Sequence, residues 1–268
     1  MTTDGIFHPP VTNDYKIRTP KSEVRKKPEA RNPKPARVGL NWIQVSDFVP
    51  HCGISDFGLR ISVFFSSPPP VTRHPKMILE VVKYGHPALR QRGARIEKVT
   101  LEIKKLVADL FETMHTNHGI GLAALQVGKA LQLTVIDVRE AKDRPSWLEL
   151  DGKPADVNEF MPLVLINPEL KPGGDPVAGG EGCLSFPEIF AEIARPESVD
   201  VKALNEKGKP VEFRCGGLLA RVVQHEMDHL NGILFIDRMS RKTKEELRPE
   251  LDELQAKTKA ELESAGKR

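Results

Sequence analysis

The residues best suited to do chemistry are His225, Glu226 and His229, which fall in the run His225-Glu226-Met227-Asp228-His229. Side chains four apart lie one above the other on an α-helix. Two imidazoles at that spacing can converge on one metal ion, while Glu226, on the adjoining edge of the same face, reaches a water bound to it. The same five residues also arise on ordinary amphipathic helices, with one His in the core and the other at the surface. A catalytic site of the zinc type takes three protein ligands and keeps one position for water, so the chemistry needs a third ligand.

That ligand could lie downstream. In metzincin proteases it is a His six residues past the second one; Gly232 fits their HExxHxxG pattern, but the sixth position here is Phe235. Glu245, Glu246 and Glu250 are candidates of the kind other HExxH proteases use. A charged helical tail is the favoured account of them, since Lys and Arg surround them and Pro249 interrupts the run. Upstream stands Cys183, in Gly179-Gly-Glu-Gly-Cys-Leu-Ser-Phe-Pro187, where glycines let the backbone approach an ion closely. A thiolate with two imidazoles suits zinc or ferrous iron. A lone cysteine is otherwise a small core residue, the role expected of Cys215.

The chain that must position these groups has 268 residues, 39% of them hydrophobic and 29% charged, as in globular proteins. No apolar run approaches the roughly 18 residues of a membrane helix. Three cysteines, Cys52, Cys183 and Cys215, argue against a disulfide scaffold and for a reducing compartment. The net charge of +3 is concentrated in residues 1–76, which hold 12 Lys/Arg against 6 Asp/Glu; the remainder is net acidic and gives no basis for nucleic-acid binding. Residues 1–76 also hold 11 of the 22 prolines and no sustained period, so they read as a disordered or extended Pro-rich, basic segment. A transit peptide is an alternative, although acidic residues and proline density speak against it. A further reading, favoured because organised sequence begins there, makes Met77 the true start; mass measurement of the natural N-terminus tests it.

From Met77 onward the pattern predicts a turn at Gly85 to Pro87 and a helix capped by Thr100, with Ile103, Leu106, Val107, Leu110, Phe111 and Met114 on one face, ending near Thr116. A glycine loop follows, then a strand over Leu133 to Arg139, a polar surface loop over 140–160, and a strand over Leu163 to Ile166 stopped by Asn167-Pro168. Lys171 to Pro176 reads as turn. Strands over Ser198 to Leu204 and Val211 to Arg214 are joined by Asn205-Glu-Lys-Gly208. The His225 helix comes next, with Gly232 as its left-handed stop. Ile233 to Asp237 reads as a strand, and a charged helix from Arg241 packs through Leu247, Leu251, Leu254 and Leu262. The fold class expected is α+β. Short, mainly antiparallel sheets pack around a central helix carrying HExxH, with an N-terminal helix and a C-terminal charged helix. The domains expected are 1–76, a catalytic domain 77–240, and the helix 241–268.

Three separated motifs, Gly119-Ile-Gly-Leu-Ala-Ala-Leu-Gln126, Glu181-Gly-Cys-Leu-Ser185 and Gln224-His-Glu-Met-Asp-His-Leu230, occur in the order found in peptide deformylases. Over roughly Met77 to Ser240 the chain resembles that family, with Leu125 where proline is frequent. The resemblance implies hydrolysis of the N-formyl group from the initiator methionine of nascent polypeptides. It implies metal ligation by Cys183, His225 and His229, usually of Fe2+, with Zn2+, Ni2+ or Co2+ able to occupy such a site. A bound metal lowers the pKa of water from about 15.7 towards 7. Glu226 is then the residue that moves the water proton to the leaving amine. The Gln126 amide and the Leu184 backbone N–H become the oxyanion donors. Gly121 and Gly182 admit a substrate backbone in strand-like pairing. Glu181 with Arg195 is an expected ion pair, and Asp228 an orienting residue. A cytoplasmic protein without nucleic-acid or membrane partners is implied, or an organellar one if 1–76 is a transit peptide; transient ribosome association through the basic tail is a further expectation. An HExxH metalloendopeptidase and a catalytically silent binder of metal or formyl-peptides remain as alternatives. Gly119-Ile-Gly-Leu-Ala-Ala124, with Asp137 beyond, also fits a dinucleotide fingerprint, but that needs a strand before and a helix after, the reverse of the order predicted.

Overall fold

A computed structural model describes residues 77–266. The expectations for residues 1–76 lie outside it. The first described segment runs along the first long helix, donating from the Met77 amide to Asp109 Oδ1 (3.0 Å) and from the Leu79 amide to Thr113 Oγ1 (2.9 Å). Helix α1 (Leu101–Thr116) starts where Thr100 accepts the Ile103 amide, as a threonine N-cap should.

The sheet begins with β1 (Gly121–Ala123), a 3-10 turn over Ala124–Val127 and β2 (Leu133–Ile136). Residues 140–160, expected as loop, instead form the hairpin β3 (Ser146–Leu150) and β4 (Lys153–Ala155), followed by the one-turn helix α2 (Val157–Phe160). Asp151 and Gly152 make its turn with φ of 50° and 72°, the left-handed pair that a two-residue hairpin favours. Leu148 anchors it in the core. Next comes β5 (Leu163–Cys183), 21 residues long, then β6 (Phe186–Leu204), 19 residues, and β7 (Pro210–Gly216). The expectation of short strands fails here, and so does the turn at Lys171 to Pro176. That stretch is part of β5, where the ladder to β6 shifts register between Gly173 and Pro176. Beyond Ile166, β2 no longer pairs with β5, so the prolines sit on an edge where no partner asks for their missing N–H.

All seven strands form one sheet in the order β1-β2-β5-β6-β7-β3-β4, with every named pair antiparallel. Helix α3 (Gly217–Leu230) packs Leu218, Leu219, Val222 and Val223 against Leu163, Leu165, Val199 and Val201. Leu110 and Met114 of α1 close a second core with Leu122, Leu133, Val135 and Ile166.

Both ends of α3 are satisfied by neighbours. Pro145 O accepts the Leu218 amide and Ser146 Oγ the Leu219 amide, both at 3.0 Å, so backbone donors at the helix start are capped from the β3 side. Gly217 permits this approach: at φ 65° a Cβ there would lie 2.3 Å from Pro145 O. At the other end Gly232 has φ 72° as expected, and the Ile233 amide returns to Asp228 O.

The strand expected at Ile233 to Asp237 is a 3-10 turn, Phe235–Asp237. Leu234, Phe235 and Ile236 are consecutively buried, which an alternating strand cannot achieve on one face. The tail divides into α4 (Arg241–Glu246) and α5 (Arg248–Ala265), with Pro249 in the first turn of α5. Leu247, Leu251 and Leu254 pack as expected, whereas Leu262 is 37% exposed and does not.

Candidate active site and metal centre

The rings of His225 and His229 meet on the buried face of α3 with centroids 4.9 Å apart, and the β5 terminus brings Cys183 to them. The Cys183 sulfur lies 3.3 Å from His229 Nε2, and one donor atom from each of the three residues falls within 4.8 Å of the others. His225 Nδ1 is engaged by Glu181 Oε2 at 3.0 Å, which orients the ring and leaves its other nitrogen free to act as a ligand. A soft sulfur and two imidazoles, buried together with one ring already oriented by a carboxylate, fit a divalent transition-metal ion. Among the described residues these three form the metal-competent group; Glu245, the first of the alternative ligands, is paired with Arg248 instead.

Burial opposes charge on His225, but the Cys183 sulfur and Glu181 outweigh it and raise its pKa to about 10. Burial and the neighbouring His225 charge push His229 well below its ordinary value. A divalent ion binding here competes with protons for the same ligand atoms.

Glu181 is the hub of the support. Arg195 grips it at 2.6 and 2.9 Å, Arg221 reaches it at 2.8 Å, and the same Arg195 bonds Asp228 at 2.8 Å. Burial would raise the Glu181 pKa, yet Arg195 and His225 lower it to about 2. Arg238 holds Asp228 through two bonds of 2.5 Å. The ion pair expected between Glu181 and Arg195 is present, and Asp228 extends it to the last turn of α3.

Glu226 projects from α3 beneath β1, buried, with its pKa raised by burial to about 7. Thr134 Oγ1 lies 3.1 Å from both Glu226 Oε2 and Leu122 O. A hydroxyl has one proton, so Thr134 serves one acceptor at a time. When Glu226 is protonated it can donate to Thr134, which then donates to Leu122. Gln126 accepts the Ala123 amide at 2.9 Å and points its amide group at Cys183 Sγ and Ser185 Oγ, 3.4 and 3.3 Å away.

A cleft of about 530 Å³ opens above these groups, lined by Gly121, Gln126, Gly182, Leu184, His225 and Glu226 among others. The polypeptide deformylase family model matches residues 78–245. The chain belongs to that family. A peptide deformylase of Opitutus terrae is 44% identical over 170 residues, covering 63% of this chain and 88% of the relative. One of Methylacidiphilum infernorum is 46% identical over 178 residues, 66% and 93% respectively. Among solved structures, peptide deformylase 1B of Arabidopsis thaliana in complex with an inhibitor aligns with a TM-score of 0.59 at 38% identity, over 68% of this chain and 93% of that one. The activity is therefore removal of the N-formyl group from nascent polypeptides.

The eight residues that the family resemblance assigns to metal, catalysis and substrate backbone, Cys183, His225, His229, Glu226, Gln126, Leu184, Gly121 and Gly182, gather at or under this one cleft. Thr134, Arg221 and Lys83 were not anticipated. Alternation along β2 could have flagged Thr134 as a polar residue in an apolar strand, and Arg221 as a charge amid Leu218 to Val223. Lys83 carries no such signal. The dinucleotide reading fails as expected: β1 and a 3-10 turn stand where it needs a helix, and α1 where it needs a strand.

Proposed function

We propose that residues 77–240 form the catalytic domain, with α3 as its central helix and 241–268 as an appended charged helix, and that Cys183, His225 and His229 hold one divalent ion. Ferrous iron is the first choice, with zinc, nickel or cobalt as alternatives, since availability decides among ions that this donor set accepts. The observation that carries the reading is the convergence of a thiol from β5 with two imidazoles of α3. Such an ion supplies water of lowered pKa at neutral pH.

This chain's own residues do the rest. A formyl-methionyl end enters the cleft extended along Gly121 and Gly182, whose lack of side chains leaves room for backbone pairing. Glu226 takes a proton from the attacking water and returns it to the departing amine. A C–O bond forms, the formyl C–N bond breaks, and formate and a free amine leave. The Gln126 side-chain amide and the Leu184 N–H are the donors for the oxygen on which charge develops, and losing one such donor costs roughly 100- to 1000-fold in rate. Substrates are N-formylmethionyl nascent chains in the cytoplasm; ribosome association through the basic residues after Arg241 is a companion reading.

Rates of formate release from formyl-Met-Ala-Ser test the assignment. C183A is expected to lose bound metal together with activity, and E226A to keep metal while losing activity. A fully active C183A with unchanged metal content would refute the ligand set.

A further inference from the structure

Three residues of the segment before α1 touch both loops that carry the proposed oxyanion donors. The Val82 amide donates to Gln126 O at 2.9 Å, the Lys83 ammonium to Leu184 O at 2.8 Å, and the Tyr84 amide to Ser185 O at 2.9 Å. The Tyr84 ring stacks on Phe186 with centroids 4.8 Å apart. Two of these contacts are backbone bonds that almost any residue could make. The third depends on a side chain. Lys83 stands half-buried in the wall of the cleft and is 101 residues away in sequence from the carbonyl it holds.

Leu184 lies in the two-residue turn between β5 and β6, where Cys183 pairs with Phe186. A carbonyl in such a turn has no ladder partner to fix it. Its peptide plane is shared with Ser185, whose hydroxyl meets Gln126 and whose carbonyl meets Tyr84. A charge-assisted bond of 2.8 Å to the Leu184 carbonyl therefore restrains the turn at the residue whose amide is the proposed donor.

We propose that Lys83 is a positioning residue for deformylation: bonded to Leu184 O and flanked by the Val82 and Tyr84 amides, it braces the Gln126 and Leu184 loops in register so that both donors meet the developing oxyanion together. This rests on the assignment of Gln126 and Leu184 as donors. Lys83 acts through the turn; it neither takes a proton nor contacts the leaving group.

The test uses the full chain with K83M, which keeps most of the apolar stem without the charged head, K83R, which restores a donor, and Q126A. Displacing a donor by about 1 Å costs on the order of 100-fold, so K83M is expected to lower kcat on formyl-Met-Ala-Ser roughly 10- to 100-fold with KM within about twofold. Metal content is expected to match the parent and the melting temperature to stay within about 3 °C. K83R is expected to recover most of the rate. An unchanged kcat in K83M overturns the proposal, as does a loss of rate matched by a loss of metal or a change confined to KM. Q126A separates the two layers. If it keeps full kcat, the donor assignment fails and the brace with it; if it falls and K83M does not, the brace alone is wrong.

Discussion

Replacing Gly121 by alanine puts a methyl group where the structure has no room for one. A Cβ built there would lie 2.3 Å from Glu226 Oε1, 2.9 Å from its Cδ and 3.0 Å from Val222 Cγ1. Ordinary contact begins near 3.4 Å, so the carboxylate must retreat by about 1 Å. Any such retreat takes it away from its present position, where Glu226 is 3% exposed and its other oxygen lies 3.1 Å from Thr134 Oγ1. Overpacking of this kind costs about 1–3 kcal/mol of stability. A displacement of about 1 Å at a proton-transfer group costs on the order of 100-fold in rate, equivalent to about 2.7 kcal/mol on the barrier. Gly121→Ala should therefore bind metal as the parent does, melt a few degrees lower and release formate from formyl-Met-Ala-Ser about 100-fold more slowly at saturating peptide. This is a different reason for the glycine from the one the motif suggested: the substrate side needs space, but the first collision is with Glu226 behind the strand. A folded, metal-loaded Gly121→Ala enzyme retaining more than about a third of the parent kcat would refute the steric argument and, with it, the claim that Glu226 must stand where it does.

Two further outcomes follow from the ion pairs. Arg195→Met leaves Glu181 and Asp228 buried with one cation fewer each, although Arg221 and Arg238 remain; breaking a buried pair costs about 3–5 kcal/mol, and the lower end, about 3 kcal/mol, should lower the melting temperature by about 6–12 °C in thermal unfolding followed by circular dichroism. For Asp237, burial opposes its charge, but Arg90 and the Leu234 amide prevail and hold its pKa below the ordinary carboxylate value. A depressed folded pKa gives stability that is present above the unfolded value of about 3.9 and is lost as pH falls through the folded one. The pair is partly exposed, so the gap in melting temperature between parent and Asp237→Asn should correspond to about 1 kcal/mol or less at pH 7 and narrow as pH falls below the unfolded value; a gap that widens on acidification would contradict it.

What could be read from sequence, and what could not, divides by the range of the cause. Helix α3 was legible because its apolar spacing, its two histidines and the Gly232 stop all act within a few residues of one another. So was the Thr100 cap. The hairpin at Asp151-Gly152 is equally local but is masked by Pro145 and Pro154, which carry a loop signal; Pro154 sits on the last strand of the sheet, where a missing N–H costs little. The length of β5 was not legible, because Pro168, Pro172 and Pro176 are strand breakers unless one flank is unpaired, and that depends on where β2 stops. The same dependence governs the site. Cys183 lies 46 residues from His229, and nothing in either neighbourhood states that they are 3.3 Å apart; motif resemblance supplied the pairing, and the register of β5 against β6 supplies its physical cause. Thr134, Arg221 and Lys83 lie further out on that scale. Each acts on a group named by the motifs, Glu226, Glu181 and Leu184, from 92, 40 and 101 residues away. A motif marks the residues that meet the substrate, whereas the residues that hold them in place are chosen by whichever distant strand or segment the fold lays alongside. It follows that substitutions at such supporting positions should alter rate while leaving every motif intact.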